Sequence, residues 1–406
     1  MRDYFLDPLL LQNLRCPLCL GALTTLANEP EIRFGSVTCV CSEYPVMAGM
    51  IILDQDEDNR AQILSAIDSK QWDYLGAVAR EIYNIPPALL FGHIETFPQA
   101  LDCIARDCPK LARRDLECFL HLRYYESTPK YLTALRLIPF VQQYGGSPLV
   151  EIASGFGHLS QLFRRTSNAK TVYLLDLQPL NLLVSSWIVE NDSRNPTCRV
   201  AVDFRDGLPL ASNSMGLAVI SDALHEMYFK RFVLRESGRA LRDDGGFLAL
   251  HLHNANRLDE PFQQYSHTVA QWHSLLEDAL RGRVAIYSDD AVLDSWRNPS
   301  EIRFSAIPTD NPRSFIATKP ADAVVQSLHT DGWDGGNLVI NPIYEADEVG
   351  DFTRLRCRRM SALYQLEHRP DVFFPDRIIP RLPVLSGAER RALFNEGVLV
   401  HAKLSR

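Results

Sequence analysis

The chain contains no apolar run approaching the roughly 20 residues that a membrane-spanning helix requires. Its first residues, Met1-Arg-Asp-Tyr-Phe-Leu-Asp-Pro8, carry acids early and no long apolar stretch, so no secretory signal peptide is expected. Basic residues are not in excess: 42 Lys and Arg against 50 Asp and Glu leave a net charge of −8, which argues against an extended polyphosphate partner. Internal repeats and low-complexity tracts are missing, which excludes repeat architectures. Cysteine is sparse, nine in all, and four of the nine lie in one short N-terminal segment. That distribution predicts reduced thiols and a metal rather than a disulfide framework, and with it a cytoplasmic location. What remains is the composition of an ordinary soluble globular protein, 46% apolar and 23% charged, and 406 residues suffice for two or three domains.

The most informative stretch is Leu149-Val-Glu-Ile-Ala-Ser-Gly-Phe-Gly-His-Leu-Ser160. It predicts a short buried strand ending at Glu151 and Ile152, then a loop of small residues (Ala153, Ser154, Gly155, Gly157) that lets the backbone pass close to a ligand. A helix starts behind the loop, with its first amide groups available to an anion. A second apolar run, Thr171-Val-Tyr-Leu-Leu-Asp176, follows at βαβ spacing and ends in a carboxylate, Asp176, beside Leu177, where a ribose diol would lie. A dinucleotide fingerprint needs a third glycine where this chain has Ser160. The acid Glu151 ahead of the loop would repel a pyrophosphate and suits an ammonium or sulfonium group. Taken singly, the glycines also fit a tight turn and Asp176 a strand-end cap; a nicotinamide cofactor is the main rival ligand.

Glu151, Ala153, Gly155 and Gly157 resemble motif I of the class I S-adenosylmethionine (SAM) methyltransferases, E/D-x-G/A-x-G-x-G. Three further stretches agree in order. Asp203-Phe204 followed by Gly207-Leu-Pro-Leu210 resembles the family's adenine-contacting turn. Leu217 to His225 resembles strand four and its exit, with Asp222 on the cofactor side, and Leu241 to Leu250 resembles the turn into strand five. Gly216 stands where the family commonly has a structural Asp. The resemblance, over roughly residues 145 to 254, implies a doubly wound α/β fold with a seven-stranded sheet and SAM as cofactor. It also places His225 at the rim facing the methyl group, as general base, with Glu226 and Tyr228 beside it. A hydrogen-bonded helix-start histidine is the competing reading of His225. His251-Leu-His253 closes strand five, and strand alternation puts both imidazoles on one face. They are expected as polar walls of the substrate pocket; a divalent metal polarising a catechol-like acceptor is the sharper alternative, for which no third ligand is evident in the sequence.

Cys16-Pro-Leu-Cys19-Leu-Gly21 has the form of a zinc knuckle, and Cys39-Val-Cys41 supplies a second thiol pair. With Tyr44-Pro45-Val46 and Gly49 downstream, the segment resembles the zinc-ribbon proteins that activate RNA and release-factor methyltransferases, and the ribbons fused ahead of some bacterial methyltransferases. It departs from them in the shortened C-x-C and in Met50-Ile51-Ile52, where Gly-Ile-Pro is typical. The resemblance implies one structural zinc on Cys16, Cys19, Cys39 and Cys41, or a ribbon that has lost its metal.

Four segments follow: a zinc-ribbon-like domain (1–55), a helical linker or lid (56–144), the methyltransferase domain (145–320) and an α/β accessory module (321–406) of no recognised family. Asp54 to Asp58 reads as a linker or helix start, and helices break at Ile85-Pro-Pro87 and Cys108-Pro109. Arg123-Tyr124-Tyr125-Glu126 is expected over the cofactor, or packed on the sheet. Arg303 to Ile307 and Ser314 to Thr318 are expected as antiparallel strands six and seven, and Ser386 to Glu389 as a capping box. Arg354, Arg356 and Arg358 share one strand face, the solvated face of an edge strand or an anion site. The substrate expected is a small molecule or modified peptide from a biosynthetic pathway. RNA with the ribbon as recognition domain, and a non-catalytic scaffold, are the alternatives; a homodimer or partner would engage the N- or C-terminal module.

Overall fold

The structure, a computed structural model, describes residues 5–25, 32–92, 94–107, 133–134, 137–167, 169, 171–189, 196–257, 265–289, 292, 314–319, 338–340, 344–357, 375–395 and 398–401. The chain divides into two compact units. The first comprises residues 1–111, 140–288 and 304–323; the second, residues 112–139, 289–303 and 324–406.

The first unit is built on one sheet. Its strands are β1 (Thr24–Thr25), β2 (Phe34–Thr38), β3 (Glu43–Met47), β4 (Met50–Leu53), β5 (Leu149–Ile152), β6 (Val172–Asp176), β7 (Thr197–Val202), β8 (Met215–Ser221), β9 (Leu241–His253), β10 (Ala285–Ser288) and β11 (Ser314–Lys319). Their spatial order is β1-β2-β3-β4-β7-β6-β5-β8-β9-β11-β10. From β7 to β10 this is the doubly wound order expected, parallel from β7 to β9 and closed by antiparallel β11 and β10. Every residue of β5, β6 and β7 is buried, as strands covered on both faces require. The topological switch lies between β5 and β8, where ligand crevices form in such sheets.

The cysteine-bearing hairpins continue this sheet. β4 pairs in parallel with β7, Met50 opposite Arg199 through Leu53 opposite Val202, and all four of its residues are buried. A proline would remove a ladder donor, so the Ile at position 52 suits a strand inside a sheet. The preceding segment is also laced to the core. Tyr173 donates its hydroxyl to the Leu10 carbonyl at 3.0 Å and accepts from Asn13 Nδ2 at 3.0 Å, and Ala211 N donates to Asn13 O at 2.8 Å.

Asp54 to Asp58 proves to be a helix start. Asp56 accepts from Asn59 N at 3.0 Å, and Glu57 and Asp58 occupy the first turn of helix Glu57–Asp68. Helices Trp72–Tyr83 and Pro87–Phe91 are separated at the diproline as expected, and helix Phe97–Asp107 follows. Cys108-Pro109 and the tyrosines Tyr124 and Tyr125 lie outside the described residues. The sixth strand of the core fold differs from expectation: β10, the partner of β11, is Ala285–Ser288, and Arg303 to Ile307 lies outside the described residues. Strand β9 already begins at Leu241, so the expected turn residues are part of it.

The second unit contains the antiparallel pair β12 (Leu338–Ile340) and β16 (Leu399–His401), and a sheet of β13 (Tyr344–Val349), β14 (Phe352–Cys357) and β15 (Arg377–Pro380). The capping box forms at helix Gly387–Asn395: Glu389 N donates to Ser386 Oγ at 3.3 Å, and Ser386 N to Glu389 Oε2 at 2.8 Å. β14 is the central strand of its sheet, not an edge, and Arg356 on its exposed face pairs with Asp347. That pairing removes one cation from the candidate anion stripe; Arg358 lies outside the described residues.

Candidate functional site

β5 delivers Glu151 and the loop behind it to the carboxyl edge of the sheet. Ala153, Gly155 and Gly157 all adopt left-handed backbone, φ 54°, 53° and 72°. The coil is tight enough that a Cβ on Gly157 would sit 2.7 Å from Val189 Cγ2 and 3.0 Å from Leu174 Cδ1. Only glycine satisfies both the backbone angle and that space. Glu151 is buried and accepts from Ser160 N at 3.0 Å, capping helix His158–Ser167. Burial, reinforced by the nearby charge of Asp176, pushes its carboxyl up to about 7 against the pull of the Ser160 hydrogen bonds.

Asp176 closes β6 and ties the loop to it. Its Oδ2 accepts from Gly155 N at 2.8 Å, and its Oδ1 from Gln178 N at 2.8 Å and Asn181 Nδ2 at 3.3 Å. Burial raises its pKa, and these donors offset part of that rise. Leu177 beside it is half exposed. Asp203 begins a short 3-10 turn and accepts from Arg205 N at 2.9 Å and Arg205 Nε at 2.8 Å, with Phe204 buried next to it. Asp176 is thus tied to the glycine loop through Gly155, and Glu151 to the helix behind that loop through Ser160.

The second constellation follows β8. Asp222, His225, His251 and His253 come together there, although β8 and β9 are separate strands. Asp222 Oδ1 lies 3.6 Å from His253 Nε2, 3.9 Å from His225 Nε2 and 4.0 Å from His251 Nε2. The rings of His225 and His253 stack with centroids 3.9 Å apart, and His251 meets His253 edge-on at 4.9 Å. Parallel pairing sets Ser221 opposite Leu250, and Asp222 N donates to Leu250 O at 3.0 Å, which places Asp222 beside His251. Both Asp222 (φ 52°) and His251 (φ 55°) are non-glycine residues in left-handed conformation. Such residues cost on the order of 1–3 kcal/mol each and cluster at functional sites. Asp222, expected among the cofactor contacts, also stands within 4.0 Å of the three histidines. With the H-x-H pair it forms a group of three possible ligand atoms within 4.8 Å of one another, which only the register of β8 on β9 reveals.

His225 is buried within the turn Leu224–Glu226, and its Nε2 is also 3.3 Å from Glu226 Oε1. Glu226 and Tyr228 are exposed at the rim, Tyr228 meeting Tyr265 edge-on at 5.5 Å. Lys230, which the sequence did not single out, extends over Tyr265 and Trp272 at 5.5 and 5.8 Å, and burial lowers its pKa to about 8.

The four N-terminal cysteines also converge. Their sulfurs all lie within 4.8 Å of one another, with Cys39 to Cys41 at 3.4 Å, Cys16 to Cys41 at 3.6 Å and Cys19 to Cys39 at 3.8 Å. Burial would raise the Cys16 thiol, but hydrogen bonding with Tyr44 and the Cys19 backbone brings it down to about 6. The C-x-C spacer therefore does not prevent a four-thiol cluster.

Residues 150–249 match the family model described as a methyltransferase domain. No curated protein matches the chain in sequence. Among solved structures, a chain of the complex between the Haloferax volcanii Trm112 methyltransferase activator and a methyltransferase is 18% identical, with 53% of this chain and 94% of that chain covered and a TM-score of 0.37. Haemonchus contortus phosphoethanolamine N-methyltransferase 2, in complex with S-adenosyl-L-methionine, is 14% identical, with 56% of this chain and 59% of that chain covered and a TM-score of 0.38. The chain carries a SAM-dependent methyltransferase domain. Among the described residues no helix is long and apolar enough to cross a membrane.

Proposed function

We propose that the chain transfers a methyl group from SAM to an oxygen or nitrogen of a small molecule or modified peptide, in a biosynthetic pathway. One observation carries this reading: the glycine loop with its two carboxylates and the histidine cluster meet at the same edge of the sheet, either side of the switch between β5 and β8. The loop fits the cofactor. Its left-handed residues leave the backbone open to close approach, and the buried Ser154 Oγ has no hydrogen-bond partner among the described residues. Asp176 would hold the ribose, since a carboxylate has acceptor capacity beyond its present three donors. Bound SAM supplies an electrophilic methyl group.

The chain's own task is then alignment and proton removal. His225 is the proton acceptor in this reading, oriented by Glu226 and stacked on His253. Three residues further along the chain a cavity of about 610 Å³ begins, lined by Tyr228, Phe229, Lys230, Phe232, Tyr265 and His267, among others, with His225 itself outside the lining. That volume falls in the small-molecule range, and the net charge of −8 favours such a substrate over nucleic acid. The four thiols suit one structural zinc, because a tetrahedral ion with bonds of about 2.3 Å spaces its sulfurs by about 3.8 Å.

Calorimetry tests the cofactor assignment. SAM should bind the wild-type protein, and NADH should not. Asp176→Ala should weaken SAM by about 10²–10⁴-fold, the loss of two charge-assisted hydrogen bonds. Unchanged affinity in the variant would remove Asp176 from the site, and tighter binding of NADH would overturn the reading as a whole.

A further inference from the structure

Three imidazole nitrogens face one carboxylate oxygen at 3.6, 3.9 and 4.0 Å, a spacing that hydrogen bonding does not explain. An N–H···O bond closes to about 2.7–3.2 Å. Two ligand atoms sharing a cation at bonds of about 2.0–2.2 Å stand about 3–4 Å apart, depending on the angle between them. The donor atoms of Asp222, His251 and His253 all lie within 4.8 Å of one another, so closure by up to about an ångström completes a three-ligand set. The set is also sheltered: His253 is 4% exposed, and both its nitrogens lack a hydrogen-bond partner among the described residues. The left-handed backbone at Asp222 and His251 turns these two side chains toward one point from neighbouring strand ends.

The geometry points to a divalent-cation site formed by Asp222, His251 and His253, separate from the cysteine cluster, whose open positions take a hard oxygen atom of the methyl acceptor. Two imidazoles and one carboxylate suit a borderline first-row ion such as Zn²⁺, Mn²⁺ or Fe²⁺ better than Mg²⁺ or Ca²⁺, which prefer oxygen ligands throughout. Three protein ligands leave positions for substrate or water. The ion acts as a Lewis acid: a coordinated hydroxyl gives its proton up to the base of the methyl-transfer reading, His225, and stays on the metal as the alkoxide, with no change of oxidation state. That acceptor role rests on the methyl-transfer reading; the cation site does not. His225 stands beside the set, stacked on His253.

Co²⁺ titration of the untagged full-length protein, followed by visible absorption, tests the site. In protein whose cysteine cluster has first been filled with zinc, one Co²⁺ per chain should bind with a ligand-field spectrum lacking the thiolate charge-transfer band that a cysteine site would add. Asp222→Asn, His251→Gln and His253→Gln should each weaken binding by about 100-fold or more, since even outer-shell changes cost 10–100-fold. Asp222→Asn is isosteric and keeps the test open should a histidine variant not fold; circular dichroism and SAM calorimetry report the fold and the cofactor site separately. Acetohydroxamate, a bidentate oxygen probe, should shift the wild-type Co²⁺ spectrum. Wild-type protein that takes up no Co²⁺ at this site, or variants that bind it equally well, would overturn the site. A spectrum unmoved by hydroxamate would overturn its open positions.

Discussion

Glu151 is a carboxyl group in a fully apolar strand, and its ionisation is coupled to folding. Its pKa stands at about 7 in the folded chain against an ordinary 4.5, because burial disfavours the charge and Asp176 adds to the cost. The folded state therefore holds this proton more tightly than the unfolded state does. The group's contribution to stability is complete below about pH 4.5, falls as pH rises, and is lost above about 7. Glu151→Gln removes that dependence while keeping an acceptor for Ser160 N. Melting curves from pH 4 to 8 should show wild type losing stability relative to the variant across that window; parallel curves would contradict the raised pKa. His225 makes a different demand. His225→Ala should leave SAM affinity nearly intact and cut turnover by roughly 10²–10⁴-fold, the usual span for a lost general base. Equal turnover would make His225 a packing residue. The placement of Glu151, the glycines and Asp176 was legible because one strand–loop–helix segment and the next strand end carry them. The partnership of Asp222 with His251 and His253 was not, because it depends on which residue of β8 lies beside which residue of β9.

At the scale of elements, β8 enters the sheet through a contact that explains its unusual glycine. A Cβ on Gly216 would lie 2.2 Å from Ser147 Cβ, so the space that any side chain at this position would need is taken by the serine ahead of β5. Gly216→Ala should cost about 1–3 kcal/mol in urea unfolding, the typical penalty of overpacking. Ser147→Gly in that background should recover part of the loss, and additive losses would separate the two positions. The elements expected from periodicity formed where apolar runs were long or sharply bounded, as at Val172 to Asp176 and around the diproline. β10 was misplaced because Ala285-Ile-Tyr-Ser288 is four residues followed by acids, too short to distinguish a strand by pattern. Arg354 and Arg356 on β14 are exposed, as the solvated-face reading had it, but on a central strand and not an edge, and the cross-strand acid Asp347 becomes apparent only with the pairing.

At the scale of the whole molecule, the four-cysteine region and the methyltransferase core share one sheet and belong to one compact unit. The sequence showed the thiols and the fold separately, and the parallel pairing of β4 with β7 had no local signal beyond the apolar run Met50 to Leu53. That pairing has a thermodynamic consequence. Cys16 is buried and its sulfur is 3.3 Å from Tyr44 Oη, which packs in the same core cluster as Tyr173 and Val200. If zinc binds the thiols, its binding energy stabilises the whole unit, because an ion held only by the folded state shifts the folding equilibrium. Elemental analysis should give close to one tightly held zinc at the cysteines, and Cys16→Ser should remove it. The variant should then unfold earlier in one cooperative step that includes the methyltransferase core; a loss of about 3 kcal/mol would lower Tm by roughly 5 °C in a unit of this size. Calorimetry and the fluorescence of Trp272, which is buried against β9, should report the same transition. A small early transition that leaves the Trp272 signal unmoved would instead mean that the hairpins melt alone, and that the β4–β7 ladder carries no coupling between metal and core.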